Sequence, residues 1–442
     1  MLVKRTQNFV VFVASTWLIA GAGAVSAYAN PIENELRYLL DSHPKIRGAE
    51  KTVESRRASI REATALHLPT VTATGEVGPQ IVDSPSQRAS DPQAKAWGGV
   101  KSIAGLNITQ NVFDGFRIIS QVRSAKINRE IASISLEGTR QSTLFEGVVA
   151  YINVLRQRRL MIMGRENEHT ILRQLNLEDE RVRRGSGVNV DVLQAKSRLQ
   201  IAKERRVGFE GALANAITTY EQVFSHAPEL STMIDPAPPP ETIPSSLERA
   251  IDISLLENPA LLSGATSMEL AKEKRTETLS SLYPTVDFVG TANYEHKNNA
   301  VVGTRRDYSL SLAANWKLYN GGSTMAQAER NTFEYRAAMD NYDFLTAKII
   351  QQTTVAWQTL VTSRERRGLL GNAVNIASEV FDNRKKLRDA GKETVINVLD
   401  AENEVNNAQI NYTTASYDTR VAVYQLLLAM GRLKPVYMIS KR

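Results

Sequence analysis

Two segments of the chain place apolar or small residues at alternating steps of three and four, which is the spacing of a coiled-coil seam. The first segment follows Gly187 and the second follows Gly391. The first seam consists of Val192, Ala195, Leu199, Ala202, Arg206, Phe209, Leu213, Ala216 and Tyr220, and the second of Val398, Ala401, Val405, Ala408, Tyr412, Ala415, Thr419, Ala422 and Leu426. Small residues at alternate core positions permit close helix approach, so the pattern predicts a coiled coil in each segment.

A period of two marks the strands. Apolar and polar residues alternate over 308–318, which predicts a strand with one apolar and one polar face. This is about the length of a tilted strand that spans a membrane, which takes about 9–11 residues. The segments 285–294 and 106–112 alternate less cleanly, and Gln110 interrupts the second. The pattern therefore predicts two strands in each half of the chain.

The two halves of the chain repeat the same signals at nearly constant spacing. The early proline signals recur 215 residues later, whereas the signals from Asp114 onwards recur 206 residues later. The matching pairs include His43-Pro44 with Asn258-Pro259, Pro69-Thr70-Val71 with Pro284-Thr285-Val286, Asp114-Gly115 with Asn320-Gly321, and Gly185 with Gly391. The difference of nine residues falls between Pro69 and Gly115, where a surface loop tolerates an insertion.

Each half is therefore predicted to contain the same elements in the same order. A helix of about 34 residues ends before a proline, two strands follow, and a turn leads into a helix of about 67 residues, which is about 100 Å long. A tip with glycine and a second helix of about 34 residues complete the half, so two short helices stacked end to end match one long helix. The predicted bounds are 32–66 and 247–282 for the first helices and 117–183 and 323–389 for the long ones, with turns at Asp114, Gly115, Asn320 and Gly321.

The N-terminus is predicted to be a signal peptide, residues 1–29. Lys4 and Arg5 supply the positive region, an apolar run covers 9–25, and Ala27-Tyr28-Ala29 has the small-x-small pattern of a cleavage site. An uncleaved membrane anchor is the alternative interpretation. The remaining predicted bounds are 30–225 for the first repeat, 226–246 for a proline-rich linker, 247–430 for the second repeat and 431–442 for a short tail.

Composition narrows the class of protein. The chain has no cysteine, which excludes a disulfide scaffold, a thiolate metal site, a catalytic thiol and a lipid-modified N-terminal cysteine. The net charge of +7 is scattered, without the stacking aromatics or motifs of a nucleic-acid-binding surface. The five histidines form no helical metal pair, and no nucleophile elbow or phosphate loop occurs, so neither an enzyme nor a cofactor is expected.

The predicted strands of one chain are too few to form a membrane barrel. No apolar stretch after the N-terminal segment is long enough for a membrane-spanning helix. A membrane crossing would then need strands closed into a barrel, because lipid cannot satisfy a free strand edge. Four strands cannot close a barrel, since small membrane barrels have about eight. Two chains would supply about eight strands and three chains about twelve.

Several short motifs resemble the TolC-like outer-membrane efflux family. They are the Pro-Thr-Val strand starts at Pro69 and Pro284, the turns Asn-Val-Phe-Asp-Gly and Lys-Leu-Tyr-Asn-Gly-Gly, and the tip Ala-Gly-Lys-Glu-Thr-Val-Ile-Asn-Val-Leu-Asp-Ala. Each motif is weak, but the ordered set covers both halves. The resemblance implies a mainly α-helical protein that forms a homotrimer, with a twelve-stranded outer-membrane barrel and a periplasmic α-helical coiled-coil tunnel. It also implies partners: a periplasmic adaptor and an inner-membrane ABC or other efflux pump.

The resemblance implies a gate at the periplasmic tips, with rings of acidic side chains and polar links between helices. The matching positions are Asp191 in the first half and Asn397 and Asp400 in the second. The chain departs from the family pattern because Asn397 replaces an acid, Glu393 a basic link residue and Arg388 an aromatic link residue. Solvated polar residues at helix ends are the alternative interpretation.

Two hypotheses concern the tips. Arg388, Arg183 or Arg184 is expected to pair with Asp191 across helices in the closed state, and opening would break that pair. The tips themselves are expected to dock the adaptor, since glycine allows close approach of another backbone. The docking residues would be Gly185, Ser186, Gly187, Gly391 and Lys392.

The function that the resemblance implies is export of substrates from an inner-membrane pump and periplasmic adaptor to the cell exterior. Type I protein secretion is favoured over drug or small-molecule efflux, because a lipid-attachment cysteine marks many dedicated drug-efflux ducts and is lacking here. A periplasmic coiled-coil adaptor is an alternative of another class, although adaptors lack two repeated pairs of long amphipathic strands. A passive porin is excluded, because it would be mostly strand.

Overall fold

The computed structural model describes residues 31–83, 85, 89, 95–185, 187–236, 242–299 and 301–434. The signal peptide predicted for 1–29, Ser186 and the end of the predicted tail lie outside these ranges. The described residues form a long helical column with a four-stranded sheet at one end. The mainly α-helical architecture with four strands and two repeats is therefore confirmed.

The same order of elements occurs in both repeats. The first repeat contains α1 (Pro31–Ser42), α2 (Pro44–Ala65), β1 (Thr70–Val82), β2 (Trp97–Phe113), α3 (Arg117–Arg183) and α4 (Asn189–Phe224). The second repeat contains α5 (Leu247–Glu257), α6 (Pro259–Ser280), β3 (Thr285–His296), β4 (Thr304–Asn315), α7 (Ser323–Asp389) and α8 (Val395–Ala429). The long helices α3 and α7 have 67 residues each, as their uninterrupted helical pattern predicts.

Both coiled-coil seams face the interior. In α4, Val192, Ala195, Leu199 and Ala202 are buried, so this helix packs its small-residue face against α3. The corresponding seam of α8 is also buried over most of its length, but Tyr412 is 39% exposed. Alanine in these seams lets neighbouring helices approach closely, and the column is held together along its length by this packing.

The prediction of one continuous helix over 32–66 and over 247–282 was wrong. Each segment is two helices, interrupted at His43 and at Asn258. The residue after each break is a proline, which disfavours helical backbone in the residue before it and begins a new helix well. The side chains of His43 and Asn258 complete the new helix starts, accepting hydrogen bonds from backbone N–H groups at 3.2 Å and 2.9 Å.

The breaks are tied to the rest of the column. Asn258 Nδ2 donates to the backbone oxygen of Ala429 at 2.9 Å, so the start of α6 is joined to the end of α8. Gln141 Nε2 of α3 donates to the backbone oxygen of Gly431 at 2.9 Å. Gly431 has φ +74, and a Cβ there would lie 2.5 Å from the backbone oxygen of Glu257. Only glycine fits this close approach between stacked helices.

The main apolar core lies at mid-height in the column. The short helix α1 inserts Ile32, Leu36 and Leu39 between the long helix α3 and the end of α4. These three side chains are fully buried, and Tyr151 of α3 and Tyr220 of α4 are each only 1% exposed. The described helices include none that is both long and apolar enough to cross a membrane.

The sheet is antiparallel with the order β1-β2-β3-β4, so β2 and β3 pair across the two repeats. The strands are longer than predicted at the end away from the helices: β3 reaches His296, and β4 begins at Thr304. β4 also ends at Asn315, before the last residues of the predicted strand. β2 has a bulge between Asn111 and Phe113. Gln110, which interrupts the alternation, precedes the bulge and pairs in register with Phe288, and its side chain donates to the backbone oxygens of His67 and Asn111.

The register separates an apolar face from a polar face. Leu310 pairs with Gly290, which pairs with Ile108, so these residues share one face. Leu310 is 77% exposed, and the same face exposes several other large apolar side chains. The opposite face carries mainly threonine, serine, asparagine and charged residues. Within the described chain, β1 and β4 each leave one edge without a partner strand.

Candidate functional site: the helical tips

The tips are tight reversals between helices at the end of the column farthest from the sheet. Gly185 and Gly391 both have φ +73, in the left-handed region that favours glycine. No atom lies within 4 Å of a Cβ built at either position, so both tips are open on their outer side. In the second tip the N–H of Lys392 donates to the backbone oxygen of Leu387 at 2.9 Å, which closes the end of α7.

The two tips differ in detail. Gly187 folds back on α3, because a Cβ there would lie 2.9 Å from the backbone nitrogen of Val182. Lys392 is exposed in the second tip. Ser186 lies outside the described residues. The predicted docking residues that are described therefore surround two exposed reversals, one in each repeat.

Glu393 and Asn397 act together at the start of α8. The Glu393 carboxylate accepts a hydrogen bond from Asn397 Nδ2 and a second from the Thr394 N–H, the latter at 3.1 Å. These hydrogen bonds, that from Asn397 first, lower the pKa of Glu393. Thr394 Oγ1 accepts from the Asn397 N–H at 3.4 Å and caps the helix. The Glu393 carboxylate is thus used within its own tip, whereas the backbone oxygen of Asn397 accepts a hydrogen bond from Arg384 Nη1 of α7 at 3.2 Å.

Arg388 of α7 forms an ion pair with Glu178 of α3. The two side chains are only 16% and 4% exposed, so the pair lies inside the column. Arg181 also contacts the Glu178 carboxylate, at 3.3 Å. A buried carboxylate with two guanidinium partners has its charge compensated, whereas either partner alone would be costly to bury.

The expected pairs with Asp191 are not the ones that the structure shows. Arg388 binds Glu178 instead, Arg183 binds Asp179 at 2.8 Å, and Arg184 binds Glu180 at 2.9 Å. The last two pairs lie within α3 at the i,i+4 spacing, where helix geometry places partners side by side. Asp191 is partly exposed and has no ion pair among the described residues.

A second ion pair crosses between repeats higher in the column. Arg198 of α4 pairs with Asp400 of α8, and their side chains are 25% and 57% exposed. Arg205 Nη1 of α4 donates to Asn407 Oδ1 of α8 at 2.8 Å, two helical turns further on. The pairs bridge a cavity of about 450 Å³ between α3, α4 and α8. Asp400 therefore does not carry an uncompensated negative charge.

A third cross-repeat contact involves a half-buried carboxylate. Gln174 Nε2 of α3 donates to the carboxylate of Glu402 in α8. Burial raises the pKa of Glu402, and the hydrogen bond from Gln174 opposes that rise, as do the charges of Arg173 and Lys385. Sequence reasoning missed Glu178, Arg198, Gln174 and Glu402. No local motif marks them, since their partners lie about 200 or more residues away.

The predicted strand–helix turns lie at the other end of the column. Asp114 is buried, and its Oδ2 accepts a hydrogen bond from the Ile118 N–H at 2.9 Å. Gly115 has φ +69, and a Cβ there would lie 2.5 Å from the backbone oxygen of Ser280, so the turn requires glycine. In the second repeat Asn320 Nδ2 donates to Thr324 Oγ1 at 2.6 Å, and Gly321 has φ +68.

The polar side chains at these sites make contacts within the protein. In the ranges that the structure describes, no group of three or more histidine, aspartate or glutamate side chains could hold a metal ion. Two contacts near the tips, Arg388–Glu178 and Arg198–Asp400, are ion pairs between helices of different repeats. Such contacts can hold or release the relative position of helices, and their strength depends on burial and ionic strength.

The sequence profile of outer membrane efflux proteins matches residues 36–223 and 250–432, one segment in each repeat. The chain belongs to the outer membrane efflux protein family. Members of this family are channels rather than enzymes, so the chain is an outer-membrane efflux channel. The predicted resemblance to TolC-like proteins is thereby confirmed, and the alternative of a periplasmic adaptor is wrong.

Individual relatives span most of the chain. Outer membrane efflux protein BepC of Brucella suis biovar 1 is 26% identical over 74% of this chain and 72% of the relative. Outer membrane protein TolC of Vibrio cholerae serotype O1 is 23% identical over 75% of this chain and 76% of its own length. Alkaline protease secretion protein AprF of Pseudomonas aeruginosa is 20% identical over 75% of this chain and 70% of its own length.

The fold is shared with solved outer-membrane channels. The crystal structure of the Campylobacter jejuni CmeC outer membrane channel superposes with a TM-score of 0.78. The match covers 96% of this chain and 94% of CmeC at 13% sequence identity. The two-repeat column and its four-stranded sheet are therefore the architecture of an outer-membrane channel.

Proposed function

We propose that three copies of this chain form one channel, with a twelve-stranded barrel in the outer membrane and a helical tunnel in the periplasm. The observation that carries the proposal is the sheet. It has four strands, two unpaired edges and a strongly exposed apolar face. An exposed edge and an apolar face are both unfavourable in water, and pairing β4 of one copy with β1 of the next removes both liabilities in a lipid bilayer.

The width of the lumen favours three copies. Each chain supplies four strands within its described residues, so two chains would make a barrel of about eight strands, which side chains fill. Three chains make a barrel wide enough for an aqueous lumen lined by the polar face. Channels of this family are trimers that work with an adaptor and an inner-membrane pump. The helices leave the sheet at one end only and reach about 100 Å, which is the long dimension that a periplasmic tunnel requires.

We propose that the tips are the periplasmic gate and the adaptor-docking surface. Two contacts that join the repeats support a gate: the Arg388–Glu178 pair and the Arg198–Asp400 pair. Breaking them would free α7 and α8 to move relative to α3 and α4. Asp191, Glu393 and Asn397 lie at the same end, where they would border the opening.

The gate can be tested with a matched pair of variants. Asp400→Asn removes the partner of Arg198 and is expected to increase the open time of single channels in planar bilayers. Glu404→Gln is the control, because Glu404 is an exposed carboxylate one turn further along the same helix and has no ion pair among the described residues. Identical recordings from the two variants, both equal to the parent channel, would contradict a gate held by the Arg198–Asp400 pair.

Docking at the tips has its own test. The exposed left-handed glycines Gly185 and Gly391, together with Gly187 and Lys392, offer open backbone to a partner. Replacing Gly185 and Gly391 with tryptophan should abolish chemical crosslinking to the adaptor. Heat-labile trimers on gels, measured on the same samples, show whether the channel still assembles. Normal crosslinking by assembled variant trimers would rule out docking at these two glycines.

We propose type I protein secretion as the export pathway. The relative AprF is named for secretion of a protease, and it aligns over 75% of this chain. The chain also has no cysteine for lipid attachment. Efflux of small molecules is the second candidate, because BepC, which is 26% identical, is named an outer membrane efflux protein.

A strain that lacks the gene distinguishes the two pathways. Its secreted proteins would be compared with those of the parent by mass spectrometry, alongside its sensitivity to dyes, detergents and antibiotics. Loss of one or a few large secreted proteins with unchanged sensitivity is the expected result. Broad hypersensitivity with an intact set of secreted proteins would establish efflux instead, and both defects would mean that several pumps share the channel.

A further inference from the structure

With one exception, the acidic, lysine and arginine side chains of the described strands lie on one face of the sheet. All four acidic residues of the strands lie on the polar face, as the pairing register shows; they are Glu76, Asp287, Glu295 and Asp307. Lys101 and Arg305 share that face. Arg306 lies on the apolar face instead, paired with Tyr294 and two residues from Tyr308 along β4. An arginine on the surface that faces lipid is costly near the middle of the bilayer and tolerated near its edge.

Arg306 lies at the extracellular end of the sheet. The helices join the opposite ends of the strands, at Phe113 and Asn315, so the end near Thr304 points away from the periplasm. Arg306 is two positions from Tyr308 along β4, which places it about 7 Å beyond the last large apolar residue of that strand. This is the level of the lipid head groups, where a long basic side chain reaches polar partners.

An apolar groove runs along the same face directly below Arg306. The small residues Gly290 and Ala292 of β3 form its floor. Ile108 and Leu106 of β2 form one wall, and Tyr308 and Leu310 of β4 form the other, and the groove has a volume of about 400 Å³. A Cβ at Gly290 would already come within 3.2 Å of Leu310 Cδ2. The groove therefore exists because β3 has small residues here.

The polar groups above the groove are available to a ligand. Arg306 is exposed and has no hydrogen bond or ion pair among the described residues, whereas its neighbour Arg305 pairs with Asp307 at 2.9 Å. His296 lies on the same face, two residues beyond Tyr294, the partner of Arg306. Its Nδ1 is 3.1 Å from Thr304 Oγ1. Lys297 follows in the turn and is exposed. No acidic residue of the described strands shares this face.

We propose that this surface is a binding site for a phosphorylated glycolipid of the outer leaflet, one site in each chain. An acyl chain occupies the groove between β2 and β4, and a phosphate of the head group accepts hydrogen bonds from Arg306 and His296. Guanidinium and phosphate make the strong, bidentate contact that suits this position. The inference rests on the proposed function, because it requires the apolar face of the sheet to lie in the outer membrane.

The site combines two features that ordinary boundary lipid does not need. A groove alone accepts any hydrocarbon chain, and a basic residue alone attracts any anionic head group. Here Arg306 lies two residues beyond Tyr308, which ends the groove. Arg306 pairs with Tyr294, and Tyr308 pairs with Ala292. A lipid whose phosphate is fixed next to its acyl chains satisfies both at once, which favours retention of a particular lipid over exchange.

The test is binding of bisphosphorylated, hexa-acylated lipid A to the purified full-length trimer, delipidated in detergent and measured by native mass spectrometry. Up to three lipids should be retained per trimer. Arg306→Gln should weaken retention about tenfold, which is the scale of one charge-assisted hydrogen bond. Ala292→Trp should weaken it by filling the groove. Arg305→Gln is the matched control on the opposite face and should bind like the parent.

Three results would overturn the assignment: unchanged retention in Arg306→Gln, an equal loss in Arg305→Gln, or equal retention of phosphatidylglycerol and lipid A by the parent trimer. Heat-labile trimers in the outer-membrane fraction are measured first for each variant. A parent chain that forms no such trimer contradicts the proposed channel itself, whereas assembled trimers without lipid selectivity contradict only the lipid site. Loss of binding in assembled Arg306→Gln trimers supports the site.

Discussion

Arg388 and Glu178 form a buried ion pair that joins the second repeat to the first near the tips. Arg388 belongs to α7 and Glu178 to α3, and α4, the linker and the strands β3 and β4 lie between these helices along the chain. A buried pair of opposite charges contributes little net stability compared with apolar packing. Removing one partner is costly, however, because the other charge is then left buried without compensation. The pair thus acts as a strict positional constraint between repeats.

Glu178→Gln should destabilise the tip end of the column. It leaves Arg388, only 16% exposed, without a charged partner, at a cost of about 3 kcal/mol. We expect trimers to dissociate at lower temperature and single channels to open more often. Glu180→Gln is the matched control two residues away, because its pair with Arg184 is exposed and contributes about 0–1 kcal/mol. Equal thermal stability of the two variants would show that the buried pair does not constrain the tip.

The stability of the column should fall as the pH rises past the ordinary range of a glutamate, in part because of Glu402. Burial raises the pKa of Glu402, so the folded protein holds this proton at a pH where the unfolded chain has released it. The contribution is fully present below the ordinary glutamate pKa and is lost as the pH rises through the raised value. Denaturant midpoints of the parent measured across this pH window should show that slope.

Glu402→Gln should remove this pH dependence and stabilise the folded protein at neutral pH. The variant carries no charge to desolvate, and its amide could donate to Gln174 Oε1, which is buried without a partner. A gain of about 1 kcal/mol is expected from one satisfied hydrogen bond. A denaturant midpoint of the variant below that of the parent at neutral pH would contradict a destabilising Glu402 carboxylate. An unchanged slope of the midpoint with pH would contradict a raised pKa of Glu402.

Tyr151→Phe should loosen the attachment of the segment that follows α4. The Tyr151 hydroxyl donates to the Ile234 backbone oxygen at 3.1 Å and accepts from the Ile234 N–H at 3.0 Å, and burial raises the pKa of Tyr151 to about 12. Losing both bonds should cost about 1 kcal/mol. Tyr424→Phe is the control, because the buried Tyr424 hydroxyl has no partner. Thermal unfolding should rank Tyr151→Phe below the parent and Tyr424→Phe at or above it.

Arginine substitutions on the two faces of β4 should separate the membrane-facing side from the lumen. Leu310→Arg places a charge in the middle of the exposed apolar face, which costs about 2–4 kcal/mol in a bilayer. The amount of heat-labile trimer in the outer-membrane fraction should fall sharply. Ser311→Arg lies on the polar face one residue away and should assemble normally. A stronger defect in Ser311→Arg would reverse the assignment of the faces.

Local signals predict the elements well but not the contacts between them. The bounds of α3 and α7 follow from glycine turns and uninterrupted helical patterns, and those signals lie next to the helices they delimit. The breaks at His43 and Asn258 are marked in the sequence only by Pro44 and Pro259, because a helical pattern continues on both sides of each proline.

The choice of ion-pair partners was not predictable from the chain. The seam patterns tell which faces of α4 and α8 are buried, but not how far α7 is shifted along α3. A shift of one turn, about 5.4 Å, would give Arg388 a different carboxylate. The pairing of β2 with β3 and the bulge at Asn111 depend on the same three-dimensional register. These features needed the structure.

The column consists of continuous helices and of helices stacked end to end, here called rods. In each chain α3 and α7 are continuous rods, whereas α2 stacked on α4 and α6 stacked on α8 form rods with a junction. Lys45 at the first junction binds Glu146 at 3.0 Å, and Gly431 at the second binds Gln141, so both junctions lie beside one stretch of α3 only about 7.5 Å long. Half of the rods are thus interrupted at a single height. The hydrogen bonds of Gln141 and Asn258 and the surrounding apolar core hold the helix ends there, so a movement of the tips reaches the sheet through α3, α7 and these contacts.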